Sequence, residues 1–386
     1  MKFDFESVIE RRGTYSIKHD PAARGLPDDV LPMWVADMDF KTAPCVTDAL
    51  AMHVGHGIYG YSMPNSGYYE TVQGWFVRRH NWRPEREWFV ITPGVVNAIF
   101  VAIRATTVPG DGVLISQPVY PPFESAVRHL GRNLIVNELI NDNGHYVVDY
   151  DDFEEKAKQA KLFVLCNPHN PVGRSWKVGE LTRMGEICLR HGVLVVSDEI
   201  HQDFIYPGHR HTVFAGIEPE LSEITITCTS PSKSFNIAGL MHANMFISNS
   251  ELRGKFVREY YSCGLNQPGL MGIVSCRAAY ENGGEWMDEI VSYLAGNMAL
   301  IGEFLKEWVS KVKLVEPEGT YLAWLDCTEL GLAQKELEEL VMYKAKVWLE
   351  SGTKFGVGGT GYLRLNAACP RAVLTEGLER LESALR

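Results

Sequence analysis

Between residues 88 and 248 the chain alternates short, β-branched apolar runs with stretches whose apolar positions recur at helical spacing. The runs occupy 88–92, 113–116, 133–139, 161–166, 193–196, 224–229 and 243–248, and helical spacing is plain over 95–106 and 122–130. Strands and helices in alternation predict an α/β unit, a mostly parallel central sheet flanked by helices. After residue 249 the pattern changes to long amphipathic helices, the longest over 284–312, followed by a strand over 320–326 and a helix over 334–343. That change predicts a second, smaller α+β domain. The opening stretch through Pro44 is rich in Pro, Gly, Arg and Asp without sustained periodicity, so it predicts an arm or a set of turns. The expected division is an arm with part of the small domain over 1–47, a large domain over 48–285 and a small C-terminal domain over 286–386.

Four apolar runs stop at polar residues. The run 224–229 delivers Lys233 into Ser230-Pro231-Ser232-Lys233-Ser234, and 161–166 gives way to Asn167-Pro168-His169-Asn170-Pro171-Val172-Gly173. The run 193–196 leads into Ser197-Asp198-Glu199-Ile200-His201, and 88–92 opens into Pro93-Gly94-Val95-Val96. If these are neighbouring parallel strands, their polar ends share the crevice at the carboxyl edge of the sheet, where ligands of open α/β sheets bind.

Composition narrows the class. A chain of 386 residues with 46% hydrophobic content exceeds the usual size of one core, so two domains are expected. Its 37 basic and 48 acidic residues leave a net charge of -11, which gives no general attraction for nucleic acid or anionic membranes. The N-terminus lacks the apolar block of a signal peptide and no run reaches membrane-spanning length, so a soluble, cytoplasmic protein is expected. The 8 cysteines form no Cys-x-x-Cys pair and several lie in apolar runs, as reduced thiols do. The His209-Arg210-His211 triplet lacks a further close ligand set; it reads as exposed loop, and no metal site is expected.

Each candidate group has an ordinary reading beside a chemical one. Lys233 is a surface lysine or a nucleophilic amine; Asp198 caps a helix, pairs, or holds a cationic ligand such as a protonated pyridine nitrogen. Asn170 is a turn residue or a donor to a phenolate-like oxygen. Gly94 is a strand-to-helix turn, or the gap through which the amides of Val95 and Val96 reach a phosphate. Tyr120 is a packed loop aromatic or a ring stacked on a flat ligand, and Arg364 is an ion-paired strand residue or a clamp for a substrate carboxylate. Together they match the requirements of pyridoxal 5'-phosphate (PLP): an amine to bond it, an acid for its ring nitrogen, amides for its phosphate, a ring to stack on it. The segment 355–361 has the spacing Gly-x-Gly-x-x-Gly but feeds a strand-like run, so it reads as a flexible turn.

The succession Asn-Pro-His-Asn-Pro-Val-Gly, Ser-Asp-Glu-Ile-His and Ser-Pro-Ser-Lys-Ser-Phe-Asn resembles the fold-type I PLP-dependent enzymes related to class I and II aminotransferases. The segments 31–40, Leu-Pro-Met-Trp-Val-Ala-Asp-Met-Asp-Phe, and 364–371, Arg-Leu-Asn-Ala-Ala-Cys-Pro-Arg, are similar to the cystathionine β-lyase branch of MalY/PatB type. The resemblance implies a homodimer with shared active sites, in which Tyr61 reaches the phosphate of the partner's site. It also implies that Ser230 and Ser232 help hold that phosphate. His201 stands where a tyrosine often assists the cofactor oxygen, Met241 where an arginine often binds phosphate, and His19 where the branch often has tryptophan.

The expected reaction is β-elimination from L-cystathionine, or from cysteine and related S-conjugates, giving a thiol, pyruvate and ammonia. Lys233 would bond the cofactor and then take the Cα proton, Asp198 would keep the ring an electron sink, and Arg364 would orient the α-carboxylate. The nearest alternative is an aminotransferase using the same residues. A more distant one is a Ser-x-x-Lys hydrolase with Ser230 as nucleophile, whose companion motifs are missing from the sequence. A third is a cofactor-binding regulator without turnover.

Overall fold

The computed structural model describes residues 2–386. Its largest sheet has seven strands, which in chain order are β1 (Phe89–Thr92), β2 (Gly112–Gln117), β3 (Asn133–Glu138), β4 (Ala160–Cys166), β5 (Leu194–Asp198), β6 (Thr225–Thr229) and β7 (Ala243–Phe246). Their spatial order is β1-β7-β6-β5-β4-β2-β3. Strands β3, β2, β4, β5 and β6 are mutually parallel, while β7 lies antiparallel between β6 and β1. Two reversals cancel, so β1 points the same way as the parallel set although it is not beside it. The carboxyl ends of β4, β5 and β6 lie level, with Cys166 opposite Asp198 and Asp198 opposite Cys228.

Both faces of this sheet are covered, as continuous apolar runs require. Alternate residues sort into two cores: Val113, Ile115, Leu162 and Val164 on one face, Leu114, Phe163 and Leu165 on the other. The helix Val95–Thr106 packs across the first face. Beyond the opening stretch come the helices Pro44–His56 and Ser66–His80; the Asn65 side chain caps the second by accepting from Tyr68 N at 3.1 Å.

A second, antiparallel sheet has the order β8 (Lys313–Val315), β9 (Leu322–Asp326), β11 (Tyr362–Asn366), β10 (Glu350–Ser351). The long helix ends at Trp308, short of the expected 312, and β9 begins at Leu322 because Thr320 takes a left-handed backbone (φ 67°). The helix expected over 334–343 is α-helical only over Gln334–Glu339 and widens to a π-turn over Leu340–Lys344.

The opening arm is firmly built in. Leu31–Pro32 pairs in parallel with Val347–Trp348, and Met33 and Met38 are buried. Two asparagines strap it down. Asn366 Nδ2 donates to the carbonyls of Val35 (2.7 Å) and Asp37 (2.6 Å), and Asn236 Nδ2 donates to those of Met38 (2.8 Å) and Phe40 (2.9 Å). The glycine-rich turn 355–361 docks the small sheet onto the large one: Val119 N donates to Phe355 O at 2.9 Å and Val357 N to Gln117 Oε1 at 3.0 Å. A Cβ on Gly356 would stand 2.2 Å from Gln117 Nε2, so close approach of that amide is what the glycine permits.

Candidate active site

The carboxyl ends of β4, β5 and β6 and the start of the Val95–Thr106 helix enclose a cavity of about 270 Å³. Lys233 enters it from the short helix Pro231–Ser234. Its Nζ donates to the carbonyl of Ala36, on the arm, at 2.5 Å. Burial disfavours the charged amine and brings Lys233 down to about 8, with Asp37 resisting the shift and Arg364 reinforcing it.

Asp198, at the end of β5, is 4% exposed and accepts one backbone hydrogen bond, from Ile200 N at 3.1 Å. Among the described residues it has no ion pair. Burial raises its carboxyl to about 7, and the neighbouring Glu199 adds to the rise. Glu199 itself is held away from the cavity. Its Oε1 accepts from Ser197 Oγ (2.7 Å) and Phe214 N (3.0 Å), while Oε2 meets His211 Nε2 at 2.9 Å. His211 is therefore buried, contrary to the exposed loop expected for 209–211; His209 and Arg210 are exposed.

The remaining walls include Gly94, Val95, Val96, Asn97, Tyr120, Cys166, Asn170, His201, Ser232, Met241 and His242. Gly94 precedes the first turn of a twelve-residue helix and has open space where a Cβ would project. Unpaired amides at such a helix start suit an anion. His201 is buried with Nδ1 unpartnered, and burial together with the positive charges of Lys233 and Arg364 lowers it to about 3. The Tyr120 hydroxyl is pushed up by burial and by the charge of Asp198.

Of the residues singled out by sequence, Lys233, Asp198, Asn170, Tyr120, His201, Ser232, Gly94, Val95 and Val96 meet around this one cavity. Arg364 lies just behind, giving Nη1 to Asn170 Oδ1 at 3.0 Å and Nη2 to Trp34 O at 2.8 Å, with Nε unpartnered. Two residues stand apart. Ser230 is buried with its hydroxyl engaged twice, donating to His242 O at 2.6 Å and accepting from Ser232 N at 3.0 Å. It caps the helix bearing Lys233, and that occupation leaves no free hydroxyl for the nucleophile of a Ser-x-x-Lys hydrolase. Tyr61 is fully exposed outside the cavity of its own chain.

Ala36 and Tyr321 were missed. Tyr321 OH donates to the same Ala36 carbonyl at 3.0 Å, so one oxygen holds both the lysine amine and a tyrosine. A backbone carbonyl carries no sequence signal, and a tyrosine among apolar strand residues reads as core.

The cavity fits PLP on its own terms. It offers a buried carboxylate lacking a cation, a partly neutral amine, a helix start open to an anion and an aromatic side wall. Residues 29–381 match the family model described as aminotransferase class I and II.

The chain belongs to this family.

Within the aminotransferase class I and II family it falls in the MalY/PatB branch. It is 43% identical over 386 residues to cystathionine β-lyase PatB of Bacillus subtilis (strain 168), covering 99% of this chain and 100% of the relative. It is 33% identical over 389 residues to protein MalY of Escherichia coli (strain K12), covering 100% and 99%. The crystal structure of the PLP-bound C-S lyase from Staphylococcus hominis superposes with a TM-score of 0.94 at 32% identity, covering 100% of this chain and 98% of that one. The seven-stranded mixed sheet with its second, smaller sheet is thus the fold-type I architecture expected from sequence.

Proposed function

We propose that this protein is a PLP-dependent carbon-sulfur β-lyase that cleaves L-cystathionine and related S-conjugates to a thiol, pyruvate and ammonia. The observation that carries the reading is the shared cavity of Lys233 and Asp198, an amine brought down to about 8 and a carboxyl brought up to about 7, in a chain 43% identical to a cystathionine β-lyase.

When bound, PLP supplies an aldehyde that bonds an amine and a ring that accepts the electron pair left at Cα. Asp198 is the residue to hold the ring nitrogen in its charged form, because its carboxylate gains there the cation that burial otherwise denies it. The amides of Val95 and Val96 and the hydroxyl of Ser232 would hold the phosphate, with Met241 adding no charge. Asn170 and His201 would serve the ring oxygen, and Tyr120 would supply an aromatic face for the ring. Arg364 and Asn170 grip the substrate α-carboxylate, which fixes the direction of the Cα–H bond. Lys233 Nζ, once free, accepts the Cα proton; at about 8 it is balanced between accepting and returning a proton near neutral pH. Loss of that proton allows the thiolate to leave Cβ.

The reading extends to a homodimer with shared sites, supported by the run of exposed apolar side chains Met52, Val54, Ile58, Tyr59, Tyr61 and Met63. Tyr61 then serves the partner's phosphate. It extends also to the division into 1–47, 48–285 and 286–386, supported by the two separate sheets, and to the cytoplasm. Among the described residues no helix is long and apolar enough to cross a membrane, and the eight cysteines are free thiols.

The test is pyruvate release from L-cystathionine by the PLP-loaded protein without any keto acid. Repeated turnover supports the lyase; a single stoichiometric half-reaction would make it an aminotransferase.

A further inference from the structure

One buried carbonyl in the active site is shared by two donors, and the proposed chemistry occupies only one of them elsewhere. We propose that Tyr321 is a positioning residue that acts on Lys233 through the carbonyl of Ala36: its hydroxyl keeps that oxygen partnered when the lysine amine leaves it to bond the cofactor. The inference rests on the reading of Lys233 as the bonding amine. Lys233 Nζ reaches the oxygen at 2.5 Å and the Tyr321 hydroxyl reaches it at 3.0 Å. Ala36 lines the cavity, whereas Tyr321 is fully buried and does not line it.

The arm is built to aim this carbonyl. Asp37 N donates back to Val35 O at 2.9 Å, closing a three-residue turn centred on Ala36. Asn366 Nδ2 takes the carbonyls on either side, Val35 O at 2.7 Å and Asp37 O at 2.6 Å, and Lys18 Nζ also donates to Asp37 O at 3.2 Å. Of the three, Ala36 O is the one given to the lysine. Tyr321 is fixed as closely. It follows the left-handed Thr320, its carbonyl accepts from Ala367 N at 2.9 Å, and its ring lies edge-on to Phe204 and His201, with centroids 4.9 Å and 5.7 Å away. Burial and the Asp37 carboxylate push its hydroxyl far above the ordinary range, so it remains a donor at every working pH.

The two donors differ in permanence. A free lysine has protons to give and satisfies Ala36 O. Bonding the aldehyde carbon expels the aldehyde oxygen as water and leaves the nitrogen at most one proton, so Ala36 O loses that donor. A buried acceptor left without a partner is costly. Tyr321 removes the cost, because a carbonyl oxygen accepts two hydrogen bonds and the hydroxyl keeps the second throughout. By drawing on the same oxygen it also loosens the hold on the ammonium. Both effects favour the departure of Lys233 towards the cofactor. Burial is the main influence on the lysine charge; Asp37 and Asp198 favour the ammonium and Arg364 opposes it. His201, brought down to about 3 by burial and by the charges of Lys233 and Arg364, is neutral near pH 7 and adds no charge of its own.

Wild type and Tyr321→Phe, both stripped of cofactor, are to be compared in PLP affinity, in the pH profile of PLP uptake and in thermal melting. The variant should bind PLP about tenfold more weakly, and its uptake profile should move to higher pH by about half a pH unit. Its cofactor-free Tm should stay within about 2 °C of wild type. The melting curve separates this role from a structural one, because in the cofactor-free protein Lys233 still satisfies Ala36 O. Equal PLP affinity in the two proteins, or a loss of affinity accompanied by a large fall in the cofactor-free Tm, would overturn the proposal. A wild-type visible band that survives in Lys233→Ala would instead sink the lysine assignment, and the proposal with it, which distinguishes that failure from the failure of Tyr321 alone.

Discussion

Arg364 donates from Nη1 to Asn170 Oδ1 at 3.0 Å, joining positions 194 residues apart in the chain. The same guanidinium reaches Trp34 O, so the arm, the turn after β4 and the small sheet meet at one buried cation. Because the fork is planar, it keeps these two bonds at once, while Nε is buried without a partner.

Replacing Arg364 by Lys should lower kcat/KM for L-cystathionine by about tenfold to a hundredfold, chiefly through KM, because an ammonium cannot hold Asn170, Trp34 and a carboxylate together. Steady-state kinetics of pyruvate release would show it. An unaltered KM would remove Arg364 from substrate binding.

Asp198 gives a stability signature. Its carboxyl titrates near 3.8 when free and at about 7 in the folded chain, so between those values the folded state holds a proton that the unfolded state has released. The contribution is fully present below 3.8 and is lost as pH rises towards about 7. The cofactor-free wild type should therefore lose Tm relative to Asp198→Asn across that window. Parallel melting curves would contradict the burial argument.

Lys233 attacks only as the neutral amine. With the group brought down to about 8, the rate at which cofactor-free protein takes up PLP should rise with pH and level off just above that value, well before the 10.5 of an ordinary lysine. Stopped-flow absorbance gives the profile, and a rise that continues towards 10.5 would contradict it.

Shared sites predict complementation. Tyr61→Ala and Lys233→Ala chains, each impaired alone, should regain activity when refolded together, since one site of the mixed dimer then holds an intact lysine and an intact tyrosine. Failure of a purified mixed dimer to turn over would place Tyr61 outside the partner's site.

Much of this site was legible because apolar runs ending in polar residues state where a parallel sheet stops. Asp198 and Lys233 could be placed at neighbouring strand ends from that pattern alone, and β1 was placed in the same crevice even though β7 intervenes. The arm was not legible. Segment 34–40 has no period, and it is held by carbonyls that Asn236 and Asn366 fasten from far along the chain. The cap made by Ser230 was not legible either: its hydroxyl accepts from Ser232 N and donates to His242 O, just ahead of β7 and twelve positions on. His211 looked like a loop residue because the carboxylate that buries it, Glu199, is twelve positions away.

The account rests on Lys233 as the group that bonds the cofactor opposite Asp198. Its most direct test is the visible absorption of the purified, PLP-supplemented protein and of Lys233→Ala, recorded before and after L-cystathionine. A visible band in the wild type that responds to substrate with continuing pyruvate release, and that is lost along with turnover in Lys233→Ala, is the predicted result. A colourless wild type, or a variant that keeps both the band and the pyruvate, would contradict it.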